Sequence, residues 1–418
     1  MSRVANRQSS LNPSQRLVRR LGVVALACAS VVLASCGGGD RKSYFTPDNI
    51  VSFGDENSAL VADSTSVLLD NTLPIPGASA TLKGLSYTAK VVREDKDFVC
   101  DDTISASQVV NCQFDNGQGA SFVPSGSPTY HVLFNDLNLV VKYEAGTVGA
   151  TGSQRTTTVN YNCDVPSTWV QIIARAYGKG FTTECPQDTL GGAISHAERG
   201  AMTADVIDQI NAHRGSLNSK TVVTIMVGQN DILEQFESGN TTEVAAGVLR
   251  ARADSMAAAI KGVIGTGAKV VLALTPDLSQ SPFPFVDNSA RARMEALVKA
   301  YNDRLYITGL GNVSGRSLAG INPESLTNPG TRSDSYQYVT PLCDASNVRR
   351  PDGEPIDPVG PGRTAKDVAD EKLLYCTSQY YTTGNTASTA IWADDTRAAP
   401  LLHNLIGVTV FNRAREQF

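Results

Sequence analysis

Histidine is scarce in this chain: 418 residues hold only four, at His131, His196, His213 and His403. An enzyme that needs a neutral imidazole as base therefore has few positions to draw it from. Cysteine is sparing as well, eight in all, and no two stand in a Cys-x-x-Cys or Cys/His cluster, so no metal site is expected. Basic surplus is absent, with 36 Lys and Arg against 41 Asp and Glu, which argues against nucleic acid as a partner. The apolar stretch from Leu21 to Val32 is too short to span a bilayer as a stable helix, and no other segment is long and apolar enough. No internal repeat and no cofactor signature is present.

What is there begins with an address. Residues 1–35 contain five Arg and no acid, and Arg16, Arg19 and Arg20 lead into the Leu21–Val32 stretch, the pattern of a secretory signal. It ends in Leu33-Ala34-Ser35-Cys36, which resembles the bacterial lipobox and implies that Cys36 is lipidated and becomes the mature N-terminus. Several acyl chains at ~0.8 kcal/mol per buried methylene make a durable anchor. Gly37-Gly38-Gly39 reads as a tether, so residues 36–46 are expected to link the membrane to a folded part over 47–418. Gly rather than Asp at position 37 favours the outer membrane, on its periplasmic or surface face. Without residues 1–35 the chain keeps 31 basic against 41 acidic residues, a net charge of about −10.

With Cys28 in the signal and Cys36 lipidated, six cysteines remain: Cys100, Cys112, Cys163, Cys185, Cys343 and Cys376. In an exported chain they predict three disulfides. Pairing of sequence neighbours closes the shortest loops and is the expected connectivity, although sequence leaves the other pairings open.

Asn49 to Phe53 is an apolar run that predicts a buried strand. Residues 81–162 change to alternating β-type runs separated by Gly, Ser and Asn, and read as a β-rich insertion. Helical spacing returns at Ser167–Tyr177, followed by Gly178 as a stop. Thereafter strands over Thr221–Val227 and Lys269–Leu274 alternate with helices over Thr241–Ile264 and Ser289–Ile307. Such alternation predicts an α/β fold, a doubly wound parallel sheet with helices on both faces. Residues 311–390, rich in Gly, Pro, Ser, Thr and Asn, are expected to form a long loop or cap, with a last helix from about Ala398.

Three short motifs carry the chemistry. Ile50-Val51-Ser52-Phe53-Gly54-Asp55-Glu56-Asn57-Ser58 is an apolar strand running into Gly-Asp. Gly228-Gln229-Asn230-Asp231 follows a second such strand, and Trp392-Ala393-Asp394-Asp395-Thr396-Arg397 precedes the last helix. The first two fall at carboxyl ends of strands, where open α/β sheets bind ligands. Together the motifs resemble those of the SGNH, or GDSL, hydrolase superfamily, a three-layer, flavodoxin-like sandwich. That resemblance implies a nucleophilic Ser after Gly-Asp, an Asp-x-x-His acid and base, and an oxyanion hole built in part from a Gly and an Asn. Carried onto this chain, it places Glu56 at the nucleophile position, Asp394 at the Asp and Arg397 at the His. Gly192, in Leu190-Gly191-Gly192-Ala193, and Asn230 become the oxyanion donors.

Two of those residues are the wrong type for ester hydrolysis. Arg stays protonated and cannot accept a proton, and Glu is a weak attacking group. Their opposite charges predict a compensated exchange, with Arg397 bridging Glu56 and Asp394. The Glu56 carboxylate can itself sit in an oxyanion hole, whose donors are placed for a negative oxygen. The expectation is an envelope lipoprotein of esterase-like fold whose triad is replaced and which acts as a binding or structural protein toward a glycan, ester or protein ligand. The alternative is an active acyl hydrolase using Ser58 or Ser64. Helical geometry turns His403 away from position 397, so it is expected to pack or face solvent. His196 reads as a capping or surface residue, and Asp231 and Asp277 as turn and cap residues.

Overall fold

Runs of β-branched and aliphatic residues with no polar alternation have one stable destination, a parallel sheet covered on both faces. The computed structural model describes residues 44–63, 81–90, 163, 166–186, 188–330 and 336–418, together with the backbone of 66–68, 79–80, 97–100, 112–115, 129–134, 139–144, 156–161 and 331. In it, β1 (Asn49–Gly54) heads the fold. Then come β2 (Ser66–Leu68), β3 (Ser79–Thr81), β4 (Asp97–Cys100), β5 (Cys112–Asp115), β6 (Thr129–Phe134), β7 (Leu139–Glu144) and β8 (Thr156–Tyr161). Four more strands follow, β9 (Ala193–Ser195), β10 (Thr221–Met226), β11 (Lys269–Ala273) and β12 (Leu318–Ile321).

Strands β12-β11-β10-β1-β9 form one sheet in that order, and every pairing is parallel. Chain order reverses direction between β1 and β10, so the crevice at their carboxyl ends is the topological switch point. Every residue of β10 is buried, as its sequence, Thr-Val-Val-Thr-Ile-Met, requires. Each such aliphatic side chain contributes roughly 1.5–3 kcal/mol on burial.

The helices are α1 (Trp169–Ala176), α2 (Thr203–His213), α3 (Gln229–Glu237), α4 (Thr242–Ile264), α5 (Asn288–Asp303), α6 (Glu324–Thr327), α7 (Ala365–Leu374) and α8 (Pro400–Gln417). Helix α1 packs on α8, which covers β11 and β12, whereas α2 lies over β1 and α4 over β11. Their starts have local causes. Thr241 Oγ1 caps α4 through Val244 N–H at 3.4 Å, Asp287 caps α5 through Ala290 N–H at 2.8 Å, and Pro400 opens α8.

Two expectations about the remaining segments change. β-structure begins at β2, upstream of residue 81, and β2-β3-β8-β7-β6 form a second five-stranded sheet with β4-β5 as a separate hairpin. Residues 311–390 are not loop throughout, because β12 supplies the fifth parallel strand and α7 a helix. Four residues are too few to display a period, and the Gly320 within β12 reads as a turn. Its lack of a side chain is needed for packing, since a Cβ there would lie 2.3 Å from the Tyr306 ring. Cys163–Cys185 and Cys343–Cys376 are disulfides with Cα separations of 5.8 and 6.1 Å. Cys100 and Cys112 face each other in register across β4 and β5, while their side chains, like Cys36 and Ser64, lie outside the described residues.

Candidate functional site

The turn after β1 is fixed by Gly54, whose φ of +153° and close fit (a Cβ would meet the Met226 carbonyl at 2.4 Å) admit no other residue without strain. The Gln209 side chain clamps it, accepting from Gly54 N–H at 3.0 Å and donating to Gly54 O at 3.2 Å. Beyond it, Asp55 Oδ1 accepts from Asn57 N–H at 3.0 Å and from Asn57 Nδ2 at 3.2 Å, and Asp55 O accepts from Ser58 N–H at 2.9 Å. This closed turn delivers Glu56, 1% exposed, to the switch-point crevice.

There Glu56 Oε2 accepts from Asn230 Nδ2 at 2.8 Å and from Gly200 N–H at 2.9 Å, and Lys366 Nζ pairs with Oε1 at 3.0 Å. Asn230 is presented by the first turn of α3, which follows β10 through Gly228. Gly200 lies in the loop after β9. The carboxylate thus occupies two convergent donors, and its second oxygen is taken by a cation.

Gly192 is not among the donors, which corrects the expectation from sequence. It stands before β9, at the amino ends of the parallel strands, where its carbonyl accepts from Ile50 N–H at 2.9 Å. Strand direction decides this: β9 runs parallel to β1, so only the residues following Ser195 reach the carboxyl-end crevice. Arg199-Gly200-Ala201 does reach it, and a Gly after a short strand was the only sequence signal for it.

The expected bridge from Arg397 to Glu56 is also replaced. Arg397 donates through Nε to Asp394 Oδ2 at 2.8 Å, through Nη2 to the same oxygen, and through Nη1 to Asp370 Oδ1. Asp394 Oδ1 in turn accepts from the backbone of Thr396 and Arg397 at 3.0 and 2.7 Å. Lys366 and Asp370, one turn apart on α7, interpose between the two residues, and Arg199 joins them through Asp367 at 2.7 Å and Asp370 at 3.4 Å. Helix α7 is held from its far end by the buried Lys90, whose ammonium donates to the carbonyls of Ser86, Thr88 and Leu373. Its N-terminus carries a capping box, Thr364 with Asp367, and Lys366 stands i, i+4 to Asp370.

The charges follow from these contacts. Burial alone would raise the Glu56 carboxyl, but Lys366, Arg397 and the Asn230 hydrogen bond hold it below its ordinary value, so it is an anion. Asp55, buried beside that anion, is pushed well above the carboxylate range. Asp394 is held low against burial by the charge and hydrogen bonds of Arg397, and Arg397 is raised further, despite burial, by Asp394 and Asp370. An Arg so paired cannot take a proton.

Ser58 is fully buried, and its Oγ accepts from Trp169 Nε1 at 3.1 Å. Buried His403 accepts the Trp169 N–H on Nδ1 at 3.3 Å, and burial lowers its pKa to about 3. It packs α1 against α8. His196 is neither a cap nor fully exposed: its ring stacks on His213 with centroids 3.4 Å apart. Asp277 caps a short turn through Ser279 N–H at 3.0 Å. Asp231 does more than cap, tying Thr203 at the start of α2 to Arg252 of α4. Among the described residues no group of three or more His, Cys, Asp or Glu is disposed to hold a metal ion.

Residues 147–308 match the family model described as GDSL-like Lipase/Acylhydrolase. That span includes Gly200 and Asn230 and excludes Glu56, Asp394 and Arg397. Among solved structures, the chain is similar to the lipase Lip_vut3 from a goat rumen metagenome, at 16% identity over 49% of this chain and 85% of that one, with a TM-score of 0.29. It is also similar to an extracellular lipase from Streptomyces rimosus, at 15% identity over 44% of this chain and 82% of that one, with a TM-score of 0.27. No match was found among curated proteins.

Proposed function

From a chain whose α/β domain has the SGNH, or GDSL, hydrolase fold, we propose that it is an envelope lipoprotein in which the hydrolytic site has become a closed ion network and the domain works by binding or as structure. A single observation carries this reading: one oxygen of Glu56 sits on the Asn230 and Gly200 donors, the place where an ester's developing oxyanion would need them. Internal charge has taken the site that the transition state would use.

The rest of the arrangement agrees. Acyl transfer requires a nucleophile, a proton acceptor and free donors. Glu56 is an anion paired to Lys366, Arg397 is a doubly paired guanidinium, and the one described serine in the turn, Ser58, is enclosed with its hydroxyl bonded. The lipid on Cys36 would place the domain at the outer membrane.

The test is a pair of measurements on the purified protein: labelling by a fluorophosphonate probe and hydrolysis of a short-chain aryl ester. No labelled serine and no rate above buffer are expected. A serine adduct formed at a rate that tracks ester turnover overturns the proposal.

A further inference from the structure

We propose that the cavity flanking the Glu56 turn is a binding site for a small organic cation bearing a primary ammonium group. The cavity, about 620 Å³, lies between the Ala59–Asp63 segment, the loop after β9 and one face of α2. That volume suits a small molecule. It is separate from the closed network at Glu56, sharing only Arg199 with it.

One wall is apolar, with Leu60 and Val61; the other carries the stacked imidazoles of His196 and His213, 7° from parallel, with His196 also stacked on Phe53 at 5.7 Å. Burial first, and then the neighbouring His213, bring His196 down to about 4, so it adds no positive charge at neutral pH. The carboxylates of Asp63, Glu198, Asp205 and Asp208 belong to the lining. The one guanidinium in the lining, Arg199, is drawn away to Asp367 and Asp370. The cavity is therefore electronegative, which attracts an ammonium and repels carboxylates and phosphates. Ring nitrogens and carboxylate oxygens supply acceptors for its N–H groups, and the ring of Tyr87 offers an aromatic surface for the cation. The lining serine, Ser195, is not poised to react, since its hydroxyl donates to Ser58 O at 3.2 Å and accepts from Ala197 N–H at 3.3 Å.

The inference goes beyond the loss of hydrolysis and does not depend on it. An aliphatic polyamine and an amino sugar share the required chemistry, so both serve as probes. With ring signals of the four histidines followed by ¹H–¹³C correlation spectra of the whole protein, spermidine or glucosamine is expected to shift His196 and His213 saturably, while N-acetylglucosamine, its neutral counterpart, does not. Response to only one amine assigns the source. Glu198→Gln with Asp208→Asn should weaken binding about tenfold, and Glu295→Gln, elsewhere on the surface, should leave it unchanged. Silence toward both amines, equal binding of N-acetylglucosamine, or equal affinity in the double variant and the wild type overturns the proposal.

Discussion

At the scale of the residue, the informative positions are Glu56 and Arg397, two buried charged groups within the motifs. Arg397 is 4% exposed and bound by two carboxylates, so Arg397→Leu would leave the fully buried Asp370 and the part-buried Asp394 as neighbouring carboxylates without their shared cation. A loss of roughly 3–5 kcal/mol is expected in denaturant unfolding. Lys366→Met should cost less, about 1–2 kcal/mol, because the Lys366 side chain is 45% exposed and water can partly replace it at Glu56. A double-mutant cycle separates direct from relayed contact. Glu56→Gln with Lys366→Met should show coupling of about 1 kcal/mol, and Glu56→Gln with Arg397→Leu a smaller one. The reverse order would mean that Arg397, not Lys366, is the partner of Glu56. The identities at 56 and 397 were legible from the motifs alone; their partners were not, because Lys366 and Asp370 come from a segment with no motif.

At the scale of the element, α7 is the piece that closes the site, and it is secured from several directions. Lys90 holds the Leu373 carbonyl in its last turn, Arg350 and Arg363 pair with Glu371, and the Cys343–Cys376 disulfide fixes the residues just beyond its end. The same disulfide joins it to the motif segment, since Leu342 and Cys343 donate their N–H groups to Trp392 O and Ala393 O at 2.8 and 3.0 Å. Replacing both cysteines with Ser is expected to cost ~2–4 kcal/mol and to raise amide exchange over 365–374 and 390–398 more than over β10. Uniform exchange across the molecule would remove the special role given to this bridge. Elements with strong periodicity or capping, such as β10, α4 and α5, could be placed from sequence. Short elements could not: β12 and α7 are decided by the sheet edge and the ion pairs that receive them.

At the scale of the whole molecule, the folded unit runs over Thr46–Phe418, and no helix among the described residues is long and apolar enough to cross a membrane. On the lipoprotein proposal, membrane attachment rests on Cys36. Cys36→Ser should abolish metabolic labelling with palmitate and move the protein to the soluble fraction; retention of the unlabelled variant in membranes would overturn the anchor. By itself the sequence determined what depends on neighbours in the chain: the buried strands, the long helices, and which residues stand at the motif positions. Only the tertiary structure decided that Gly200 rather than Gly192 donates to Glu56, and that Lys366 and Asp370 stand between Glu56 and Arg397. The reason is physical. Hydrophobic period and capping are written within a few residues, whereas strand direction and ion pairing are settled where distant segments converge and each buried charge must find its counter-charge.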